Sequence, residues 1–86
     1  MNTITKAQEV EQTYYAAVLD YNIHSEGCYA LAVDAAVTLG GTEVYNSNYG
    51  NMSKSLAPTC EFKFDDGSSV QVTYGGVFVI LPNEPY

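Results

Sequence analysis

The stretch 59-TCEFKFDDGSSVQVTYGGVFVIL-81 predicts three antiparallel β-strands joined by two tight turns. Apolar and polar residues alternate from position 60 to 64 and again from 70 to 74, and a period of two is typical of a half-buried strand. Asp66-Gly67 and Gly75-Gly76 separate the segments, since glycine adopts the positive φ angles of tight hairpin turns without steric cost. We therefore expect a β-meander with one apolar face.

The last of these strands, Val77 to Leu81, is apolar on both faces. Such a strand normally lies inside a sheet that is covered on both sides. One interpretation is therefore a central position, with an earlier segment paired to its free edge and a helix or loop over it. A simple meander instead leaves the strand at the sheet edge, where an uncovered apolar strand pairs with another chain. In that alternative Val77, Val79 and Leu81 form a homo-oligomer or partner interface.

The chain before these strands begins with an amphipathic helix, which the sequence predicts over residues 3–21. Its apolar residues recur at steps of three and four. Thr5 is the expected N-cap, and Gln8 three residues later completes a capping box. Asn22 is expected to end the helix, because asparagine tolerates the left-handed conformation.

A second helix is predicted over residues 26–39, with Ser25 as N-cap and Gly40-Gly41 as the stop. Apolar residues and alanines occupy nearly every side of this helix, which is typical of a buried helix. Residues 36–45 could instead form a hairpin about the two glycines. Alanine favours the helix, because it is a good helix former and a poor strand former.

Thr42 to Tyr45 is a candidate short strand, and residues 46–57 predict a polar loop. Tyr49 in that loop is a candidate interface anchor, since tyrosine gives a large contact area at small entropic cost. In the alternative interpretation its side chain folds back on the core. The predicted fold is α+β. Two N-terminal helices pack on one face of a three- or four-stranded antiparallel sheet, and residues 1–86 form one domain.

The 86-residue chain has ten Asp and Glu against three Lys and Arg, a net charge of −7. Proteins that bind phosphate backbones need Lys and Arg to displace counterions, so direct binding to nucleic acid or to an anionic membrane is not expected. The two cysteines do not make a disulfide framework, no signal peptide is expected after Met1, and no apolar stretch is long enough to span a membrane. We therefore expect a cytoplasmic protein with reduced, buried thiols.

Catalytic and metal-binding patterns are weak. His24 and Cys28 lie four residues apart, but Ser25 is expected to start a helix after His24, and Cys60 is the only other thiol. The Asp-Asp-Gly turn lacks the alternating ligands of a calcium loop. The sequence therefore predicts a protein that is not an enzyme and has no cofactor or metal. A small enzyme would need a cleft that holds His24 with Cys28 or Cys60.

In size, in acidity and in the short hairpin FKFDDGSSVQV, the chain resembles the small phage-encoded inhibitors of bacterial immunity, in particular anti-CRISPR proteins. The resemblance implies a stoichiometric inhibitor that occupies a basic nucleic-acid channel or a subunit interface of a defence nucleoprotein. The expected partner contacts are the turn acids Asp65 and Asp66, the helix acids Glu9 and Glu11, and Tyr49 as anchor. Reversing the two turn acids to lysine is expected to weaken binding and to leave folding intact. The competing function is a homo-oligomeric structural or assembly module built on the last strand.

Overall fold

A computed structural model describes residues 4–46 and 59–82. The strands form one antiparallel sheet in the order β1-β2-β3-β4, and both helices pack on the same face of it. The predicted α+β fold with two N-terminal helices is confirmed, in its four-stranded form. The elements in chain order are α1 (Lys6–Tyr21), α2 (Glu26–Thr38), β1 (Thr42–Asn46), β2 (Thr59–Lys63), β3 (Ser69–Thr73) and β4 (Gly76–Ile80).

The ends of α1 follow from its capping residues. The Thr5 hydroxyl accepts the Gln8 N–H at 3.2 Å, and the Gln8 side chain accepts the Thr5 N–H at 2.8 Å, which is the predicted capping box. Because Thr5 itself is extended, the helix begins at Lys6 rather than at residue 3. Asn22 ends it in the left-handed conformation, with φ 65°.

Local signals also fix the ends of α2. The Ser25 hydroxyl accepts the Cys28 N–H, and Gly40 adopts φ +84°, a conformation that disfavours side chains. The N–H of Gly41 then donates to the Ala36 carbonyl at 2.9 Å, so the last turn of the helix is closed by backbone hydrogen bonds. Residues 36–45 are therefore a helix end followed by β1 and not a hairpin.

The expectation that α2 is buried on all sides is wrong. The helix contacts the core through small side chains, chiefly Ala32 and Ala36, which are fully buried. Leu31 and Val37 are 44% and 60% exposed, because they lie on the sides of the helix turned away from the sheet. An apolar helix thus leaves part of its surface in contact with solvent.

The core lies between the helices and the inner face of the sheet. The alternation predicted for β2 and β3 is confirmed, since their apolar side chains turn inward and are buried. The Tyr15 hydroxyl accepts the Val77 N–H at 3.4 Å, which links α1 to β4. The fully buried side chains include Ala7, Val10, Tyr14, Cys28, Ala32, Ala36 and Val72.

β4 lies at the edge of the sheet, so the interpretation that places it centrally is wrong. β1 is the earlier segment that joins the sheet, but it pairs with β2. Within residues 4–46 and 59–82, no strand pairs with the outer side of β4. Val77 is 5% exposed and Val79 packs against the core, while Phe78 and Ile80 on the other face are 60% and 46% exposed.

Candidate partner-binding surface

The turn between β2 and β3 is bound to the N-terminus of α1. Gly67 takes φ +90°, and Asp66 Oδ1 accepts the hydroxyl and the N–H of Ser68 at 2.6 and 2.9 Å. Asp66 Oδ2 accepts the Lys6 N–H at 2.8 Å, and the buried Ser68 Oγ accepts the Ala7 N–H at 3.3 Å. Two N–H groups that a helix leaves without a partner in its first turn are therefore satisfied by residues about 60 positions later in the chain.

These bonds give Asp66 a structural role. The Ser68 hydroxyl and the Lys6 N–H lower the pKa of the Asp66 carboxyl, because both donate to its charged form. Reversing Asp66 to lysine would remove the acceptor and place a cation at the positive end of the helix. The expectation that folding would survive reversal of both turn acids therefore does not fit these contacts.

Lys6 lies beside Asp65, Asp66 and Glu9. Its Nζ donates to Asp65 Oδ1 at 2.8 Å, in an ion pair whose side chains are 35% and 80% exposed. The hydrogen bond to Asp65 raises the pKa of Lys6, and the charges of Asp66 and Glu9 add to the effect. Three of the predicted contact acids are thus near one end of the molecule, where one lysine offsets part of their charge.

The other predicted contacts lie elsewhere. Glu11 follows Glu9 by two residues, so it points roughly 200° away around the helix. Tyr49 lies outside the described residues. Val77 and Val79 face the core and Leu81 is half-buried, so the interface predicted on them stays a prediction.

The helix pair has a solvent-facing groove of about 580 Å³ between α1 and α2. Glu9, Gln12, Thr13 and Ala16 line it from α1. Leu31, Asp34, Ala35 and Thr38 line it from α2, and Ile4 and Leu39 lie at one end. Each helix thus contributes positions i, i+3, i+4 and i+7, the spacing of one helical face.

Of the residues that line this groove, the sequence analysis singled out Glu9 as an expected partner contact. It counted Asp34 only among the acids in general and did not single out Leu31. The available signal was the position of Asp34, a charge within an otherwise apolar segment predicted to be buried. A charged residue cannot be buried without a partner, so that side of α2 had to reach solvent. A second depression of about 480 Å³ lies on the other side of α2, where Asp34 is joined by Tyr29, Val33, Val37 and Tyr74.

The side chains of His24, Cys28 and Cys60 each have contacts of their own. The Tyr14 hydroxyl lies 3.0 Å from His24 Nδ1 and donates to the Tyr74 carbonyl at 2.6 Å. Cys28 and Cys60 are free, buried cysteines, and burial raises the pKa of the Cys60 thiol. The contacts of His24 are thus with the aromatic rings of α1, Tyr14 among them.

Residues 4–46 and 59–82 contain no group of three or more His, Cys, Asp or Glu side chains that could hold a metal ion. Among the same residues, neither helix has the length and hydropathy needed to cross a bilayer.

Comparisons of the chain with protein-family models, with curated proteins and with solved structures gave no match. The function must therefore be argued from the chemistry of the chain. Three features of the chain bear on its function: the acidic surface, the groove between the helices and the edge of β4 with which no described strand pairs.

Proposed function

We propose that this chain is a stoichiometric, non-catalytic protein inhibitor of the anti-CRISPR kind. It binds a defence nucleoprotein of the host cell and blocks a surface that binds nucleic acid or joins subunits. The observation that supports this proposal is the surface charge. The chain has a net charge of −7, and Lys6 and Lys63 are the cations within residues 4–46 and 59–82. The acids of those residues are Glu9, Glu11, Asp20, Glu26, Asp34, Glu43, Glu61, Asp65 and Asp66.

An acidic protein can compete with nucleic acid because both bind the same lysines and arginines. A channel that binds nucleic acid is lined by these cations, and complementary charge speeds association and selects the partner. A single exposed ion pair contributes only about 0.2–1 kcal/mol, so a charge-driven contact needs several carboxylates at once. Asp65 and Glu9 supply two exposed carboxylates at one end of this molecule.

The test is a pull-down with the tagged full chain from a bacterial lysate, with and without nuclease. We expect a ribonucleoprotein that is retained after nuclease treatment and released by moderate salt. A double variant, Glu9→Gln with Asp65→Asn, should weaken the capture, while Asp20→Asn with Glu43→Gln removes equal charge elsewhere and should not. Recovery of the chain alone, or equal capture by both variants, would refute the proposal.

A second candidate function, a homo-oligomeric assembly module, is favoured by β4. This strand has an unpaired edge within the described residues and exposes Phe78 and Ile80. It contains no charged residue, so two acidic copies could approach there without repulsion between facing side chains. Tyr15 already occupies one backbone donor of the strand, the Val77 N–H. Sedimentation of the wild-type chain and of Phe78→Lys tests this candidate, which fails if the wild type is a monomer.

A further inference from the structure

The groove between α1 and α2 has the shape of a docking site for a third helix. The facing stripes run from Glu9 to Ala16 and from Leu31 to Thr38, eight residues each, or about 10 Å along the helix axes. Packed helices lie about 8–10 Å apart, which leaves a valley into which the side-chain ridge of another helix fits. A segment with apolar residues one helical turn apart matches this spacing.

The lining of the groove includes apolar residues from both helices. Ala16 and Ala35 are small, so an inserted side chain can lie close to the two backbones. Leu31 is 44% exposed and Ile4 is 39% exposed, so both still have apolar surface that a partner could remove from water. This arrangement favours leucine-like side chains in the occupant.

The rim of the groove is negatively charged. Glu9 lies on one wall and Asp34 on the other, and the described residues that line the groove include no lysine or arginine. The last turn of α2, which ends at Thr38 beside the groove, has no basic residue to offset the negative end of the helix dipole. An occupant with lysine or arginine beside its apolar residues is complementary to this rim.

We propose that this groove binds an amphipathic basic helix of the partner protein, with apolar residues at i, i+3 or i+4, and i+7 and with lysine or arginine on both flanks. The inference rests on the proposed function and names the site and the recognised element. A second copy of the chain does not fit, because α1 and α2 contain one lysine, Lys6, which is paired with Asp65.

The test is a titration of the ¹⁵N-labelled full chain with a synthetic helical peptide of leucine and lysine that has this spacing. We expect amide shift changes concentrated at residues 9–16 and 31–38. A peptide of the same composition, with leucines spread around the helix, should bind at least about tenfold more weakly, because it loses the apolar contact but keeps the charge. Equal binding of the two peptides, no binding, or shift changes spread over all the acidic residues would overturn the inference.

Substitutions of the lining residues test whether the peptide binds in the groove. Leu31→Asn and Gln12→Arg should each lower the affinity for the peptide by about tenfold or more. The first substitution removes apolar surface, and the second places a bulky cation among the lining residues. Gln12 is exposed, so its replacement keeps the test valid if Leu31→Asn fails to fold. Glu9→Gln with Asp34→Asn should reduce the salt dependence of binding, and Asp20→Asn with Glu43→Gln should leave it unchanged.

The groove and the proposed function can fail independently. If the pull-down captures a nucleoprotein and Leu31→Asn and Gln12→Arg capture it equally well, the groove is refuted and the inhibitor function stands. If the spaced peptide binds in the groove and no nucleoprotein is captured, the groove stands and the inhibitor function is refuted.

Discussion

Replacing Asp66 with alanine is expected to destabilise the protein although its carboxylate lies on the surface. The carboxylate accepts hydrogen bonds from the Ser68 hydroxyl, the Ser68 N–H and the Lys6 N–H at 2.6, 2.9 and 2.8 Å. It also holds Ser68 where the Ser68 hydroxyl accepts the Ala7 N–H. The substitution therefore releases one helix N–H directly and leaves the acceptor of a second less well positioned.

The magnitude follows from the cost of losing a helix cap. Replacing an N-cap side chain by alanine costs about 0.5–2 kcal/mol, and water can reach the released donors at an exposed site. We therefore expect the free energy of unfolding to fall by about 1–2 kcal/mol. In a domain of this size, that change corresponds to a Tm lower by roughly 5–15 °C.

The assay is urea unfolding followed by far-ultraviolet circular dichroism, with Asp65→Ala as the matched control. Asp65 is the neighbouring residue with the same charge, but its described contact is an exposed ion pair with Lys6. An exposed ion pair contributes little to stability, so the control should lose clearly less stability than Asp66→Ala. If both variants lose the same stability, the carboxylate of Asp66 does not cap α1 and the reasoning is wrong.

The same contacts predict a pH dependence with a definite sign. The pKa of Asp66 is lowered in the folded protein, while an unfolded Asp has a pKa of about 3.9. The stabilisation is therefore complete above about pH 5, begins to decrease near the pKa of the unfolded state and is lost as the pH falls through the lowered pKa of the folded state. The stability difference between wild type and Asp66→Ala should stay constant from neutral pH to about pH 5 and shrink on further acidification. A difference that grows below pH 4 would contradict the lowered pKa.

Further changes in the core and turns have expected outcomes. Gly41→Ala should lower the free energy of unfolding by about 1–3 kcal/mol, because a Cβ there would lie 2.7 Å from Phe64 Cε1. Gly75→Ala is the control: a Cβ there would meet no atom within 4 Å, so this variant should be near neutral in urea unfolding. Tyr14→Phe should cost about 1–3 kcal/mol in the same assay, because it removes the hydroxyl that donates to the Tyr74 carbonyl. Equal stability of the two glycine variants, or a neutral Tyr14→Phe, would contradict these contacts.

The helix ends were predictable because their causes are local. Thr5 with Gln8, Asn22 and Ser25 each cap a helix through contacts within a few residues, and all of these contacts were inferred from the sequence. The two inward-facing strands were predictable for the same reason. Alternation of apolar and polar residues fixes which side chains share a face before any partner strand is known.

The position of β4 was not predictable from its composition. The five apolar residues from Val77 to Leu81 favoured a central position but left an edge position open. In the structure β1 pairs with β2, and those residues do not by themselves specify where another segment pairs. Likewise, the apolar composition of α2 indicated complete burial. Among the described residues, α2 packs against one face of the sheet and against α1. These neighbours cover only part of the helix surface, which leaves Leu31 and Val37 exposed.

For the candidate site, Glu9 and Asp65 were identified from charge alone, since carboxylates on helix and turn surfaces reach solvent in almost any packing. The role of Asp66 as a cap for α1 depends on a contact across 60 residues, and the groove depends on how two helices lie side by side. Contacts between neighbours in the chain can be inferred from residue types and their spacing. Contacts between distant segments arise only when the whole chain has folded, because the free energy of packing all the elements selects which surfaces meet.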